Sequence, residues 1–402
     1  MSQLNYLEKL LDGVEVEWKA LGEVCDFKNG FAFKSSLFKE AGLPIIRITN
    51  VDGKNISLDD VKYFDPSDYK ENTASYEISK GDILIAMSGA TTGKIGFYAH
   101  ESPAYLNQRV GKFLPKPKIL NNRYLYHYLL SKVEQIYVIA GGGAQPNLSS
   151  NALMAKIEIP IPCPNNPEKS LAIQAEIVRI LDAFTAMTAE LTAELNMRKK
   201  QYNYYRDQLL SFEDGEVEWK TLGDLAENLD SKRKPITSGL REAGEIPYYG
   251  ASGIVDYVKD YIFDGDYLLV SEDGANLLAR NTPIAFSISG KTWVNNHAHV
   301  LKFETYAERK YVEYYLNSID LTPYISGAAQ PKLNKKNLES INIPNPAPKE
   351  KERIVAILDK FDSLTCSIKE GLPREIELRQ KQYEYYRDLL LSFKKSHSDE
   401  AA

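Results

Sequence analysis

The sequence predicts a mixed α/β (α+β) protein in which two α/β domains are related by an approximate two-fold axis and joined by two long helices that form an antiparallel coiled coil. Three observations support this fold class. The chain contains a tandem repeat, each repeat ends in a long helical pattern, and the segments between the repeated blocks combine short apolar runs with amphipathic helices. With 402 residues, 43% of them hydrophobic, the chain is long enough to form more than one core.

The repeat consists of blocks that recur in the same order. The pairs are VEWKALGE (16–23) and VEWKTLGD (217–224), GAQPNL (143–148) and AAQPKL (328–333), IEIP (157–160) and INIP (341–344), IVRILDAF (177–184) and IVAILDKF (354–361), and KQYNYYRDQLLSF (200–212) and KQYEYYRDLLLSF (381–393). Ordered matches of this kind indicate a tandem duplication. Residues 27–142 and 228–327 show little resemblance to each other, so two divergent inserts sit in a constant scaffold. The N-terminal YLEKLL resembles a shortened end of the constant block, as in a ring of two units cut open.

Each constant block predicts a long helix. From Ile173 to Leu209 apolar residues recur every three or four positions, and an unbroken helix over 170–212 would span roughly 65 Å. The second block has the same period, but Gly371 and Pro373 predict a break or kink. The two helices could instead be core helices of separate domains. We favour the paired coil, because helices of this length rarely fit inside small domains.

The inserts predict strands and shorter helices. DILIAM (82–87) and YLLVSE (267–272) are apolar runs suited to buried strands, and a Gly-Asp turn signal introduces each of them. The segments 122–132 and 308–318 have the pattern of amphipathic helices. Each insert with its flanks is therefore predicted to form one α/β domain.

Several classes of chemistry lack their motifs. No proline is followed by proline or by aspartate, which disfavours an amino-methylase motif and a common nuclease motif. SGATTGKIG (88–96) is one residue too short for a phosphate loop and has Ile95 where Ser or Thr would bind Mg²⁺, so it predicts a strand-to-strand loop. The His297 and His299 pair has no third ligand nearby, and three distant cysteines indicate neither zinc nor disulfides. We expect no membrane span, no signal peptide and a cytoplasmic location.

The repeated blocks resemble the specificity subunits of type I restriction-modification systems over essentially the whole chain. The EVEWKTLG start, the AQPxL segment, the passage from IPIPCP to RILD and the QYxYYRDxLLSF helix carry this resemblance. The tandem TAEL at 188–195 is similar to the central spacer of one subgroup. The implied organisation is a first target recognition domain at 1–160, a central helical region at 161–214, a second target recognition domain at 215–345, a C-terminal helical region at 346–395 and a disordered tail at 396–402.

The resemblance implies two target recognition domains that are inverted about a pseudo-two-fold axis on the pair of long helices. It also implies a non-catalytic protein that reads an asymmetric, bipartite sequence in double-stranded DNA, with a spacer of roughly six base pairs between half-sites about one helical turn apart. Two modification subunits would use S-adenosylmethionine to methylate adenine N6. Two restriction subunits would use ATP and Mg²⁺ to translocate and cut DNA. No cofactor is expected on this chain. The formal charge of −6 argues mildly against DNA binding, but modification subunits could supply basic surface.

Side chains that can reach base edges or phosphates identify the candidate DNA contacts. In the first domain these are Ser88, Thr91, Thr92, Lys94, Asn107, Gln108 and Arg109. In the second domain they are Ser231, Lys232, Arg233, Lys234, Tyr248, Tyr249, Ser252, Glu272, Asp273, Asn276, Asn296, His297, His299 and Lys332. Gln145 and Gln330 precede the proline in the two copies of the repeated QPxL block, and we expect both to position the DNA backbone. The spacer-setting candidates are Thr188, Ala189, Glu190, Leu191, Thr192, Ala193, Glu194 and Leu195.

Two other functions remain open at this point. A two-domain scaffold that binds proteins through each domain, with the coiled coil as spacer, fits the negative charge. A self-contained methylase-nuclease is disfavoured by the missing motifs. A polar loop solvated by water is also a sufficient explanation for any single candidate contact.

Overall fold

The structure is a computed structural model that describes residues 14–142, 146–213, 215–327, 330–367 and 370–393. The predicted tail at 396–402, the N-terminal YLEKLL and Gln145 lie outside the described residues. The strands are β1 (Val16–Ala20), β2 (Cys25–Asn29), β3 (Leu43–Ile46), β4 (Lys62–Phe64), β5 (Glu77–Ile78), β6 (Ile83–Ala86), β7 (Ile95–Phe97), β8 (Ala104–Leu106), β9 (Val110–Pro115), β10 (Glu158–Pro162), β11 (Glu218–Thr221), β12 (Glu227–Asn228), β13 (Ala243–Gly250), β14 (Gly253–Val258), β15 (Phe263–Asp264), β16 (Tyr267–Ser271), β17 (Ala285–Ile288), β18 (Lys291–Val294), β19 (Ala298–Lys302) and β20 (Asn342–Asn345).

The helices include one that is much longer than the others. They are α1 (Leu21–Val24), α2 (Asn122–Leu130), α3 (Val133–Ile139), α4 (Ser150–Lys156), α5 (Pro167–Leu210), α6 (Leu222–Leu225), α7 (Asn276–Ala279), α8 (Tyr306–Ser318), α9 (Lys335–Glu339), α10 (Pro348–Thr365) and α11 (Gly371–Leu390). Within the described ranges, no helix is both long and apolar enough to cross a membrane.

The chain forms two compact units. The first unit consists of two chain segments, one up to Glu190 and one from Glu377 onwards. The second unit runs from Leu191 to Ile376. The boundary in α5 therefore falls inside the tandem TAEL. Two sheet-containing domains with a long helix linking them confirm the predicted mixed α/β class. The inverted arrangement of the domains and the antiparallel pairing of the helices stay predictions.

The two units have the same sheet topology although their inserts differ in sequence. The first contains an antiparallel sheet in the order β2-β9-β6-β7 and a mixed sheet in the order β4-β3-β8-β5, in which β3 and β8 are parallel. The second contains β12-β19-β16-β17 and β14-β13-β18-β15, with β13 parallel to β18. A two-stranded sheet, β1-β10 or β11-β20, completes each unit.

The predicted apolar runs form strands that are buried on both faces. In β6, Ile83 and Ile85 pack in the core under the helices, whereas Leu84 and Ala86 pack in the core between the two sheets. In β16 of the second unit, Leu269 packs in one core, whereas its neighbours Leu268 and Val270 pack in another. Because side chains alternate across a strand, burial on both faces requires a continuous apolar run.

The long helices match the sequence pattern. Helix α5 has 44 residues and covers the predicted segment 170–212 except its last two residues. The predicted break in the second block is confirmed, since α10 ends at Thr365 and α11 begins at Gly371. Gly371 has a φ of +76°, and a Cβ there would lie 2.3 Å from the carbonyl oxygen of Ser363. The break therefore depends on glycine.

The helical regions complete the two domain cores in an interleaved way. In the first unit, Ile177 and Leu181 from α5 share a core with Tyr383 and Leu390 from α11. In the second unit, the core contains residues of the opposite helix segments, Leu210 from α5 and Ile354, Val355 and Leu358 from α10. Each domain is thus built from one insert and helix segments of both repeats.

A buried polar contact attaches the first insert to these helices. His127 of α2 is fully buried, with its Nε2 2.8 Å from Asp182 and its Nδ1 2.9 Å from the Tyr383 hydroxyl. Burial lowers the pKa of His127 and outweighs the effect of Asp182, so the neutral ring donates from Nε2 and accepts at Nδ1. Burial opposes ionisation of Asp182, but hydrogen bonds from His127 and Arg123 lower its pKa to about 2.

The second unit uses a different side chain at the same place. Asp359, the equivalent of Asp182 in the repeat, accepts hydrogen bonds from the hydroxyls of Tyr314 (2.6 Å) and Tyr306 (2.8 Å). Tyr314 lies in α8, which corresponds to α2. The aspartate of each ILDxF block therefore holds the helix of the insert that packs on it.

We predict that His127→Phe destabilises the first unit more than Tyr314→Phe destabilises the second. The first change leaves the buried Tyr383 hydroxyl without its acceptor and removes a donor to Asp182, at about 2–3 kcal/mol. The second removes one of two hydroxyl donors to Asp359 and should cost about 1 kcal/mol. Chemical denaturation, with hydrogen exchange to locate the loss in α2 or α8, measures both. Equal effects would contradict this assignment.

Candidate nucleic-acid interface

In the first unit, three separate segments meet at one end of the sheets. The Met87 N–H donates to the Arg109 carbonyl (2.8 Å), and the Leu148 N–H donates to the Met87 carbonyl (2.8 Å). Ser88 and Asn147 form an isolated antiparallel bridge. The loop after β6, the turn before β9 and the end of the AQPNL block are therefore fixed to one another by backbone hydrogen bonds.

The second unit repeats this arrangement. The Glu272 N–H donates to the His297 carbonyl (2.9 Å), and the Leu333 N–H donates to the Glu272 carbonyl (2.8 Å). Asp273 and Lys332 form the matching bridge. We call the three joined segments of each unit the reading frame: 87–94, 107–109 and 146–148 in the first, and 272–276, 295–297 and 330–333 in the second. The repeated block ending in QPxL supplies one edge of each frame.

The first reading frame has an exposed basic and amide surface. Gln108 and Arg109 are exposed, and Lys94, Asn107 and Ser88 are partly exposed. The hydroxyls of Thr91 and Thr92 form hydrogen bonds within the domain. The Thr91 hydroxyl donates to the Ile48 carbonyl (3.1 Å), and buried Thr92 bonds to the carbonyls of Gly89 (2.7 Å) and Pro146 (3.1 Å). A base contact does not fit Thr92, because its hydroxyl is buried and bonded within the loop.

A buried ion-pair cluster lies behind the second reading frame. Arg233 is 12% exposed and contacts Glu272 at 2.6 Å and Asp230 at 3.2 Å. The same guanidinium donates to the Ala298 carbonyl at 2.8 Å. His299 is fully buried, with Nδ1 2.6 Å from Asp230 and Nε2 2.7 Å from the Leu333 carbonyl. The cluster therefore connects the SKRKP segment, β16, β19 and the AQPKL block.

The cluster corrects three sequence-based assignments. Arg233, His299 and Glu272 are candidate DNA contacts from the sequence, but Glu272 and His299 are buried, Arg233 is 12% exposed, and all three are bonded inside the domain. Burial would raise the pKa of Glu272, but hydrogen bonds from Arg233 and Lys332 lower it. Its ionised form therefore stabilises the fold at neutral pH, and this contribution is lost only as the pH falls through the lowered pKa.

The same cluster has the donor set of a metal site, and its charge is already balanced by side chains. One ligand atom each from Asp230, Glu272 and His299 lies within 4.8 Å of the others. Arg233 forms ion pairs with both carboxylates, and the Lys332 ammonium lies 3.1 Å from Glu272. These cations supply the positive charge that two buried carboxylates need.

The remaining second-domain candidates fall into exposed and structural groups. The exposed ones are Ser231, Lys232, Lys234, Ser252, Asn296, His297, Gln330 and Lys332. Tyr248 is buried and its hydroxyl accepts from the Ile236 N–H (3.0 Å), so a DNA contact does not fit it. The Asn276 amide bonds to both backbone groups of Thr282 at 3.0 Å, which closes its own loop. Tyr249 is half-buried beside Phe286.

Sequence reasoning missed Asn295 and Asp230. The Asn295 side chain accepts from the His297 N–H at 2.8 Å, as Asn107 does from the Arg109 N–H at 3.4 Å. Aligning the Asn-x-Arg and Asn-x-His turns could have identified this pair. Nothing in the local sequence distinguishes Asp230, whose partners His299 and Val300 lie about seventy residues away.

An open cavity of about 890 Å³ adjoins the second reading frame. Its lining includes Asp273, Leu278, His297, Gln330 and Lys332. Leu278 is 53% exposed, so apolar surface lies beside these polar groups. The mixture of donors, acceptors and apolar surface resembles what the edges of base pairs offer in the major groove.

A family model described as "Type I restriction modification DNA specificity domain" matches residues 13–198 and again 215–378. The chain belongs to this family. It is 40% identical to the EcoR124I/EcoR124II specificity subunit of Escherichia coli, with 98% of each chain covered. It is 36% identical to the EcoprrI specificity subunit of the same species, over 92% of this chain and 93% of that one.

A solved structure supports the fold of this specificity protein. The type I restriction-modification S subunit from M. genitalium is similar with a TM-score of 0.60 at 17% identity, covering 96% of this chain and 98% of that one. The predicted family is therefore confirmed, and so is the architecture of two sheet-containing domains. The residues that contact DNA stay a prediction.

We predict that Arg233 and its lysine neighbours behave differently on substitution. Arg233→Ala removes the shortest ion pair of Glu272 and one of the cations beside Asp230, so it should cost about 3 kcal/mol or more and disturb the second reading frame. Lys232→Ala with Lys234→Ala should preserve stability, weaken binding to every sequence and lower the slope of binding against salt by about two. Chemical denaturation and salt-dependent DNA binding separate the two effects. If Arg233→Ala merely weakens all binding at unchanged stability, its role in the cluster is wrong.

Proposed function

We propose that this protein is a DNA-specificity subunit that reads a bipartite, asymmetric target and directs adenine-N6 methylation or restriction by partner subunits. The observation that carries the proposal is the duplicated reading frame. Two domains of one topology fix equivalent backbone segments by equivalent hydrogen bonds, yet present different side chains on them. A fixed frame with exchangeable polar side chains is suited to reading two different short sequences.

The two frames differ in charge and in hydrogen-bonding character. The first presents the cations Arg109 and Lys94, which only donate hydrogen bonds, beside the amides of Asn107 and Gln108. The second presents Asp273, His297 and Lys332, a mixture of acceptor and donor groups. Such surfaces favour different base edges. The half-sites should therefore differ, which makes the whole target asymmetric.

Partner subunits complete the proposed activity. Two modification subunits would dock on the helical regions, bind S-adenosylmethionine and methylate adenine. Two restriction subunits would join them and use ATP and Mg²⁺ to translocate and cut double-stranded DNA. This chain would supply target choice and no catalytic group. The duplication of the helical block is the reason to expect two modification subunits.

We predict that exchanging residues 27–142 with those of a relative changes one half of the methylated sequence and leaves the other half intact. The exchanged segment contains two of the three parts of the first reading frame, together with helix α2. Methylome sequencing of cells that express the hybrid with its modification subunit measures the outcome. The reciprocal exchange of 228–327 is the matched control and should alter the other half. A change in both halves would contradict independent reading, and no methylation by the parent complex would favour a protein-binding scaffold.

We predict that a third TAEL shifts recognition to a spacer one base pair longer and preserves both half-sequences. The half-sites, of about three and four base pairs, would be centred about 10 base pairs apart, leaving roughly six unread. The chain passes from the first compact unit to the second between Glu190 and Leu191, so an insertion in the repeat adds residues to the helix that links the two units. Four residues lengthen a helix by about 6 Å and advance its phase about 40° beyond one turn. One base pair adds only about 3.4 Å of length and roughly 35° of twist to the duplex. The change in helix phase therefore matches the change in DNA twist well, whereas the change in length matches only if the coil is tilted or bent.

Methylome sequencing of the three-repeat variant tests the spacer prediction. A matched control replaces the second TAEL by four alanine residues, which keeps helix length and should keep the original spacer. An unchanged spacer in the three-repeat variant would mean that the break before Gly371, or another element, sets the distance between the readers.

A further inference from the structure

His297 and Asp273 form an exposed pair on the wall of the second domain's cavity. The Nδ1 of His297 lies 2.8 and 3.0 Å from the two carboxylate oxygens of Asp273. The His297 side chain is 51% exposed and that of Asp273 is 33% exposed. Both residues line the open cavity of about 890 Å³. Among the contacts of the described residues, the Nε2 of His297 has no protein partner.

The frame holds this imidazole in place. Its backbone carbonyl accepts from the Glu272 N–H, and its N–H donates to the Asn295 side chain. Glu272 is held in turn by Arg233 and Lys332. The backbone of His297 is thus fixed on both sides, and Asp273 fixes its ring.

The carboxylate decides which ring nitrogen carries the proton. An ionised Asp273 can only accept hydrogen bonds, so Nδ1 must be the donor. In a neutral ring the other nitrogen, Nε2, is then an acceptor. The exposed atom of the pair therefore has a defined hydrogen-bonding polarity.

We propose that His297 Nε2 is a specificity-determining acceptor that pairs with an exocyclic amino group of a base, adenine N6 or cytosine N4, and that Asp273 sets this polarity. The proposal rests on the proposed function, since it assumes that this frame faces DNA. Asp273 is then a positioning residue that acts through His297. In the major groove only adenine and cytosine present amino donors.

The equivalent position in the first frame has the opposite polarity. Arg109 occupies the place of His297, because its carbonyl accepts from Met87 as that of His297 accepts from Glu272. Guanidinium only donates and suits the O6 and N7 acceptors of guanine. One backbone position would thus read acceptor bases in one half-site and amino-bearing bases in the other.

Asp273→Asn tests the proposal, because an asparagine side chain can either donate to Nδ1 or accept from it and so no longer fixes the tautomer of His297. Binding of the complex is measured at about pH 8.5, where imidazole in water is neutral, against duplexes carrying each base at every position of the second half-site. We expect the preference for an amino-bearing base at one position to weaken relative to guanine or thymine, with about a tenfold change in the affinity ratio. Asp273→Ala should relax the choice at that position without reversing it, and His297→Phe should remove the amino preference.

Two internal controls keep the outcomes separate. Asp260→Asn makes the same charge change at an exposed residue of the same domain and should leave the preference unchanged. Unchanged recognition of the first half-site shows that each variant complex is assembled. If the wild-type complex recognises a bipartite sequence but Asp273→Ala and His297→Phe both keep every base preference, the inference is overturned and the proposed function stands. If the wild-type complex has no sequence preference, the proposed function itself fails.

Discussion

The backbone hydrogen bonds that join three segments in each domain are the constraint on which the reading surfaces depend. The carbonyl of Met87 or Glu272 accepts from the leucine of the QPxL block, and the N–H of the same residue donates to the turn before β9 or β19. These bonds use no side chain. The side chains at the surface can therefore change without altering the frame, and residues of very different chemistry can occupy equivalent positions.

The two domains stabilise this common frame by different means. In the first, Phe31 bonds through its backbone to Leu106 and Gln108, and its ring packs at 4.9 Å from Phe33 and 5.4 Å from Tyr69. In the second, the equivalent backbone bond runs from the Lys234 N–H to the Val294 carbonyl (3.3 Å), and the neighbouring Arg233 binds carboxylates and a backbone carbonyl. An aromatic cluster and an ion-pair cluster thus support the same geometry. The ionic version uses an arginine that would otherwise count towards the positive surface available for DNA.

The sequence predicts the elements well because their signals are local. The buried strands β6 and β16, the helices α2, α8 and α5, and the break before Gly371 all follow from periodicity or from backbone requirements of single residues. The burial of Arg233 and His299 could not be predicted in this way. Arg233 sits in a basic run that suggests a solvated surface, and its partner Glu272 lies 39 residues away. Contacts over such separations depend on the folded topology, which a single sequence does not encode locally.

The attachment of the inserts to the constant helices explains how two inserts of such different sequence can share one scaffold. His127 and Tyr314 belong to the inserts, whereas Asp182 and Asp359 belong to the repeated block. The His127 Nε2–H and the Tyr314 hydroxyl are different groups, yet both donate to a carboxylate oxygen, His127 at 2.8 Å and Tyr314 at 2.6 Å. The scaffold therefore requires only a hydrogen-bond donor from the insert at this place, not a particular residue. That tolerance is what an exchangeable reader needs, because an insert can diverge at its reading surface while one donor preserves its attachment.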